Sequence, residues 1–326
     1  MDIVLRKMAL DWEYQRSYNL YYLYSLPERV RIALVSYVST IYGPGLSMSD
    51  LKLILLPQSP EDGVVEEYEG GSPPSPSTMN EGITHLDLST SVGRSIKLRE
   101  LSGLLFPTQP GTASPLLDSW DTAETIPVPR PLLPNLTHLA LAATPETSSA
   151  ISWKQLLALS THLPTLTHLS LAYWPVPSLT PNATFAKVVT TQGQTVQYGG
   201  TNPYSHSLDN DWSEAVLILR KLSQGLYGLE YLDLTGCAPW FNALTASVSL
   251  ESGNRDQVDW VGDWGKVEKL VLATGYAPPS RDEAAKVDKY RELITTARSM
   301  ERTIRTRRAG RGRFITVETD RALEED

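Results

Sequence analysis

The chain has one cysteine, Cys237, in 326 residues. It cannot form an internal disulfide, which fits a reducing compartment. No apolar run approaches the ~18 residues a membrane span needs. Residues Met1–Leu10 alternate charged and apolar side chains, and Asp2 and Asp11 break the pattern of a mitochondrial presequence. There is no P-loop, G-x-G-x-x-G, H-E-x-x-H or G-x-S-x-G, so no cofactor and no metal centre is expected. A basic excess is also missing: 29 Lys and Arg stand against 37 Asp and Glu, a net charge of −8. That balance argues against wholesale nucleic-acid binding. The expected setting is intracellular, cytoplasmic or nuclear. The sequons at Asn135 and Asn182 are then coincidental, because glycosylation requires secretion.

What the chain does contain is a recurring pattern. Leu229, Leu232, Leu234 and Cys237 read L-x-x-L-x-L-x-x-C, and the L-x-x-L-x-L core recurs at Ile83/Leu86/Leu88, Leu136/Leu139/Leu141, Leu166/Leu169/Leu171 and Val267/Leu270/Leu272. The L-x-L pair has period 2, so a short strand sends both side chains to one face. One such strand cannot bury its apolar face alone, whereas parallel copies stacked side by side bury a continuous core. Short apolar stripes precede two copies at helical spacing. One runs from Trp153 through Leu163 with Ser152 as its cap, the other from Trp212 through Leu226 with Asp211 as its cap. Gly225 and Gly228 end the second.

This pattern resembles the leucine-rich-repeat family over residues 83–275. The resemblance implies an α/β solenoid of parallel strands with crossover helices, a scaffold for binding other molecules. The array is irregular. Its first-Leu spacings are 53, 30, 63 and 38 residues, against about 20–29 in regular repeats. The Asn/Cys position that bonds the turn backbone in the family is matched only by Cys237. Its equivalents are Ser91, Thr144, Trp174 and Gly275, so the ladder at that turn is expected to be incomplete.

Around the array, residues 1–56 read as a helical N-terminal cap. A stripe of Val30, Leu34, Val38 and Ile41 follows Pro27, Gly43-Pro44-Gly45 ends that helix, and a second begins at Ser47 or Ser49. Residues 57–82 are rich in Pro, Ser, Gly and acid and read as a disordered linker. Pro-rich insertions at 106–134 and 175–210 interrupt the repeats. The second contains a hairpin candidate from Lys187 to Tyr198 around Gln192-Gly193. Residues 280–326 form a long helix to Arg308 that caps the open end, then a short strand at Phe314–Val317 and an acidic end.

Residues between the leucines are the candidate binding surface. One column is His85, His138, His168, Tyr231 and Lys269; the next is Asp87, Ala140, Ser170, Asp233 and Val271. Three histidines share one repeat position. Metal would need three or four convergent ligands, and Ala140 and Ser170 stand where acidic partners are required. The column is therefore either an exposed residue of repeat lineage or a polar strip for a protein partner, with affinity that changes near pH 6.5. Tyr173, Trp174, Tyr231 and Trp240 are candidate exposed anchors; for the tryptophans the competing explanation is packing. Arg305, Arg307, Arg308, Arg311 and Arg313 form a basic tail that would hold phosphates, RNA or an acidic partner, or else be a solvated helix end.

Two further resemblances concern short motifs. His206 and Asp211 fit H-x4-D, the pattern of tafazzin-like glycerolipid acyltransferases, in which His would deprotonate a hydroxyl; a helix cap explains Asp211 as well. Leu26-Pro27-Glu28 running into Ile32, Leu34, Tyr37 and Val38 resembles the start of an F-box, with Glu one position early. That resemblance implies a substrate adaptor of a ubiquitin ligase that binds a Skp1-type adaptor. A plain helical cap explains the same residues. The reading the sequence favours is a non-enzymatic protein-interaction scaffold.

Overall fold

Every apolar position of the five repeats is at most 2 % exposed, from Ile83, Leu86 and Leu88 to Val267, Leu270 and Leu272. Fully burying such a side chain stabilises by about 1.5–3 kcal/mol, so the repeat positions dominate the core. The structure is a computed structural model that describes residues 1–58, 75–107, 130–147, 150–179, 212–249, 255–276 and 284–320, and the backbone of 186–189 and 195–198.

The repeats form a parallel sheet in chain order. Its strands are β1 (His85–Asp87), β2 (His138–Ala140), β3 (His168–Ser170), β6 (Tyr231–Asp233), β9 (Lys269–Val271) and β10 (Thr316–Glu318). Between them lie α6 (Leu98–Leu105), α7 (Trp153–Ser160), α8 (Ser213–Gly225), a 3-10 helix (Ala238–Leu244) and α9 (Ala284–Arg308). These helices pack against one another in the order of the strands they connect: α6 on α7, α7 on α8, α8 on the 3-10 helix, and the 3-10 helix on α9. The result is a mixed α/β fold with the leucines between a parallel sheet and a row of helices.

Register is set by the leucines, because a slip of one residue would turn them all outward. Leu86, Leu139, Leu169, Leu232, Leu270 and Val317 stand side by side. The ladder also continues through the turns. The N–H two residues past the second leucine donates to the next repeat: Thr90 to Ala142 O (2.7 Å), Ala143 to Ala172 O (2.9 Å), Tyr173 to Thr235 O (2.7 Å) and Gly236 to Ala273 O (2.9 Å). Backbone closes the turn between the first five strands, and among the described residues the side chain three residues past the leucine bonds the preceding repeat only at Trp174 and Cys237, so the side-chain ladder is incomplete as expected. Cys237 Sγ lies 3.3 Å from Leu171 O, and Trp174 Nε1 donates to Leu141 O at 2.8 Å. The indole N–H thus stands at the position that Cys237 occupies in its own repeat.

The N-terminal cap extends the two layers. Helices α1 (Asp2–Leu10), α2 (Trp12–Tyr18), α3 (Glu28–Ile41) and α4 (Met48–Leu55) precede the sheet. α3 packs beside β1 and α4 beside α6, so the pair occupies the place of one further repeat. Pro27 is the N-cap residue of α3, one position before the N1 site expected for it. Leu34, Val35 and Val38 bury its stripe. Ser47 and Asp50 close a reciprocal capping box on α4. Thr90 Oγ1 and Ser95 Oγ bond Ser39 O and Leu46 O and tie the cap to the first turn.

The end of the expected linker is folded. α5 (Pro76–Met79) leads to Asn80, which is fully buried. Arg31 Nη1 donates to Asn80 Oδ1 at 2.6 Å, Arg31 Nη2 to Met79 O at 3.0 Å, and Asn80 Nδ2 to Leu55 O at 3.0 Å. Residues 59–74 lie outside the described part.

At the other end, α9 packs on the 3-10 helix, and the sheet edge beyond β9 is filled by β10 rather than by that helix. Strand β10 lies two residues later at its start than the Phe314–Val317 expectation. Two antiparallel pairs stand apart from the main sheet. β4 (Ala186–Val189) with β5 (Thr195–Tyr198) is the expected hairpin, and β7 (Ser247–Ser249) with β8 (Arg255–Gln257) has no counterpart in the sequence pattern. Among the described residues no helix is long and apolar enough to cross a membrane.

Candidate functional site

Parallel pairing in register places His85 beside His138, His138 beside His168, His168 beside Tyr231 and Tyr231 beside Lys269. Their rings form a ladder. Centroids lie 3.8 Å apart for His85–His138, 3.9 Å for His138–His168 and 5.5 Å for His168–Tyr231, with interplanar angles of 23°, 17° and 18°. Lys269 Nζ sits 5.7 Å above the Tyr231 ring and pairs with Glu318 at 2.8 Å.

A threonine precedes each histidine, and its hydroxyl meets the imidazole Nδ1: Thr84 with His85 at 2.7 Å, Thr137 with His138 and Thr167 with His168 at 2.8 Å. The last two hydroxyls also meet carbonyls of the preceding strand, Thr137 Oγ1 with Thr84 O at 3.1 Å and Thr167 Oγ1 with Thr137 O at 3.2 Å. A hydroxyl has one proton. Thr84 O and Thr137 O each already accept two backbone N–H groups, so the hydroxyl proton has both a carbonyl and Nδ1 as acceptors within reach, and the tautomers of His138 and His168 follow from which of the two it takes. No protein group among the described residues bonds Nε2 of His138 or His168.

Burial, then the adjacent His168 and His85, holds His138 down at about 4. Burial also lowers His168, opposed by Glu230 and aided by His85. The expectation of titration near pH 6.5 is thus corrected downward for both. Burial, then Asp233, raises Tyr231. His138, His168 and Tyr231 are all neutral at pH 7.

The second column is fixed by short hydrogen bonds. Asp87 accepts from Ser89 N–H at 3.0 Å and from Ser36 of α3 at 2.8 Å. Asp233 accepts from Thr235 N–H, the Thr235 hydroxyl and, at 2.8 Å, the Ser170 hydroxyl. Between the two aspartates the column carries only Ala140 and Ser170. Above Asp87, Ala140, Ser170 and the ring ladder is a groove of about 680 Å³, walled by Arg29, Ile32, Ala33 and Ser36 of α3. Sequence reasoning misses the α3 wall, because only the fold brings it beside β1. The Thr-His pairing is legible in the repeated T-H-L.

Other expected site residues fall elsewhere. Trp174 and Trp240, expected as exposed anchors, are 2 % and 1 % exposed. Trp153 packs edge-on against both, with centroids at 5.0 and 5.7 Å, and Trp240 Nε1 donates to Trp174 O. Tyr173 is half-buried with its hydroxyl on Gly275 O. The arginine tail is not one patch. Arg305 pairs with Glu301 and Arg313 with Glu268, Arg307 donates to Thr245 O, and buried Arg308 holds Val267 O and Gly265 O. Arg311 alone of the five is exposed without such a contact on the described surface. Cys237 is buried, and burial pushes its thiol well above the ordinary range. His206 and Asp211 lie outside the described residues, as does most of both long insertions.

No protein-family model, no curated protein and no solved structure matches the chain.

Proposed function

We propose that the chain is an irregular leucine-rich-repeat scaffold that acts without catalysis, by binding a partner protein on the open face of its sheet. One observation carries this reading. His85, His138, His168 and Tyr231 are aligned in register on the floor of an open groove, held by threonines and walled by α3. Conformational order is already present in the groove, so a partner would not have to impose it. Affinity capture on the full chain, compared between wild type and a variant with Ala140→Phe, tests the reading. Ala140 faces the groove, so filling it should remove the partner while the melting temperature stays within a few degrees. A partner retained in full by the variant would overturn the proposal.

The F-box-like adaptor is a second reading. Tyr14, Tyr18, Tyr21 and Tyr22 are 55–72 % exposed just before Leu26, and exposed aromatic clusters favour a docking role. Co-purification with a Skp1-type adaptor, abolished by Leu26→Ala with Val30→Ala, would support it. The burial of Leu34, Val35 and Val38 favours the simpler role of α3 as a cap.

A further inference from the structure

The helical segment formed by α1 and α2 has two apolar faces, and only one is covered. Leu5, Ala9 and Trp12 are four and three residues apart and share a face. Each is at most 4 % exposed, and α1 packs on α3. Ile3, Leu10, Tyr14 and Tyr18 follow at spacings of seven, four and four residues, which puts them on the opposite face. They are 59–81 % exposed. Asp11 N–H bonds Lys7 O and Gln15 N–H bonds Asp11 O, so the spacing carries across the junction of the two helices. The rings of Tyr14 and Tyr18 stack at 5.8 Å. Val4, and Tyr21 and Tyr22 in the turn that follows, are 55–69 % exposed as well. A helix apolar on both sides belongs between two packed surfaces.

We propose that this outward face is where two copies of the chain pair, α1 and α2 of one lying antiparallel on those of the other about a twofold axis. The pairing is separate from the groove and goes beyond the scaffold reading. Charge selects a second copy as the occupant. Arg6 and Lys7 are exposed in the first half of the segment, Asp11 and Glu13 in the second, and none of the four has an ion pair among the described residues. Arg6 and Glu13, seven residues apart, lie on one flank of the apolar stripe; Lys7 and Asp11, four apart, lie on the other. An antiparallel twofold pairing brings like flanks together with their ends reversed. Arg6 then meets Glu13 of the partner subunit, and Lys7 meets Asp11 of the partner subunit. Both contacts put the axis level with Ala9, which also sets Ile3 and Val4 opposite Tyr14 of the partner subunit. A parallel pair would instead set Arg6 against Lys7 and Asp11 against Glu13, like charge on like, at a cost.

Area agrees. A fully exposed tyrosine offers about 200 Å², so these seven side chains together offer on the order of 900 Å², close to the roughly 800 Å² per partner of a stable interface. A membrane surface fits less well. Helices that lie on bilayers carry Lys and Arg along the polar face, whereas Asp11 and Glu13 flank this one.

Sedimentation velocity on the full chain between about 1 and 100 μM should show a monomer–dimer equilibrium. Leu10→Gln with Tyr14→Gln replaces two exposed apolar side chains by one that suits a helix. Its melting temperature at monomeric dilution should match that of wild type, while dimer affinity falls about tenfold or more. Lys7→Glu should weaken the dimer about fivefold, and adding Asp11→Lys should restore it, because the exchanged charges again meet across the axis. Should the glutamine variant fold poorly, hydrogen exchange of residues 2–18 in wild type should slow as concentration rises. A chain monomeric throughout the range, a dimer left intact by the glutamines, a charge exchange that fails to restore affinity, or exchange rates independent of concentration would each overturn the inference. A monomer that instead binds phosphatidylcholine–phosphatidylserine vesicles, or a Skp1-type adaptor, through the same tyrosines would overturn it and give the face to that occupant. None of these outcomes touches the groove, whose own test is Ala140→Phe.

Discussion

The imidazoles of His138 and His168 stack with centroids 3.9 Å apart and planes 17° from parallel. Two protonated rings at that distance would repel, so the packed ladder favours the neutral forms. His138 is held at about 4, below its ordinary 6.5. The folded state therefore binds fewer protons than the unfolded chain between those two values. The stabilisation is fully present above pH 6.5 and is lost as pH falls toward about 4. Because the rings are only partly buried, solvent screening reduces the effect to on the order of 1–2 kcal/mol. The groups facing His138 are His85 and His168 on adjacent strands and Arg29 across the groove, with Glu230, Tyr231 and Asp233 further along the ladder. Urea unfolding between pH 7.5 and 4.5 should show a steeper acid loss in wild type than in His138→Phe. Superimposable pH profiles would exclude this role.

Trp174 joins two repeats through its indole N–H on Leu141 O and its packing on Trp153. Trp174→Ala should destabilise by about 3–5 kcal/mol, as for large aromatic deletions in cores. Trp174→Phe should cost less, since it leaves Leu141 O short of a donor but keeps most of the ring. Equilibrium denaturation measures both. A surface anchor would instead give near-wild-type stability for either change.

Glycines separate two kinds of position. Gly236 has φ +77°, and a Cβ there would fall 2.3 Å from the Tyr173 ring. Gly236→Ala should destabilise by about 1–3 kcal/mol through backbone strain and clash. Gly103 lies within α6, and a Cβ added to it would meet nothing within 4 Å. Gly103→Ala should stabilise by about 0.5–1 kcal/mol. Thermal melts of the two variants should move in opposite directions.

Cys237 packs in the turn with its sulfur near Leu171 O and Trp174 O, and burial keeps it protonated. A thiol reagent at pH 8 should leave native protein unlabelled and modify it fully in denaturant. Stoichiometric labelling of the folded chain would contradict the buried position.

The strands are legible in the sequence because their signal is local: two leucines one residue apart repeat five times, and period 2 assigns them one face. The Thr-His column is visible for the same reason. The tryptophans are not. Trp174 and Trp240 follow the strand at positions where core and solvent are equally near in sequence, and only the path of the turn sends their indoles inward. Arg308 belongs to a run that reads as a basic tail, yet its guanidinium binds carbonyls at Val267 and Gly265, some forty residues earlier. Asn80 reads as part of a Pro- and Ser-rich linker, because its partners Arg31 and Leu55 come from two different helices.

By itself the sequence determined that the repeat leucines are core and which strand columns of side chains face outward, since leucine spacing and strand alternation are properties of neighbours along the chain. Tertiary structure alone decided the rest. It set the stacking of His85, His138 and His168 at 3.8–3.9 Å, the α3 wall of the groove and the addition of β10 as a sixth strand. Each of these depends on segments dozens of residues apart meeting in space, and no local pattern encodes such a distance.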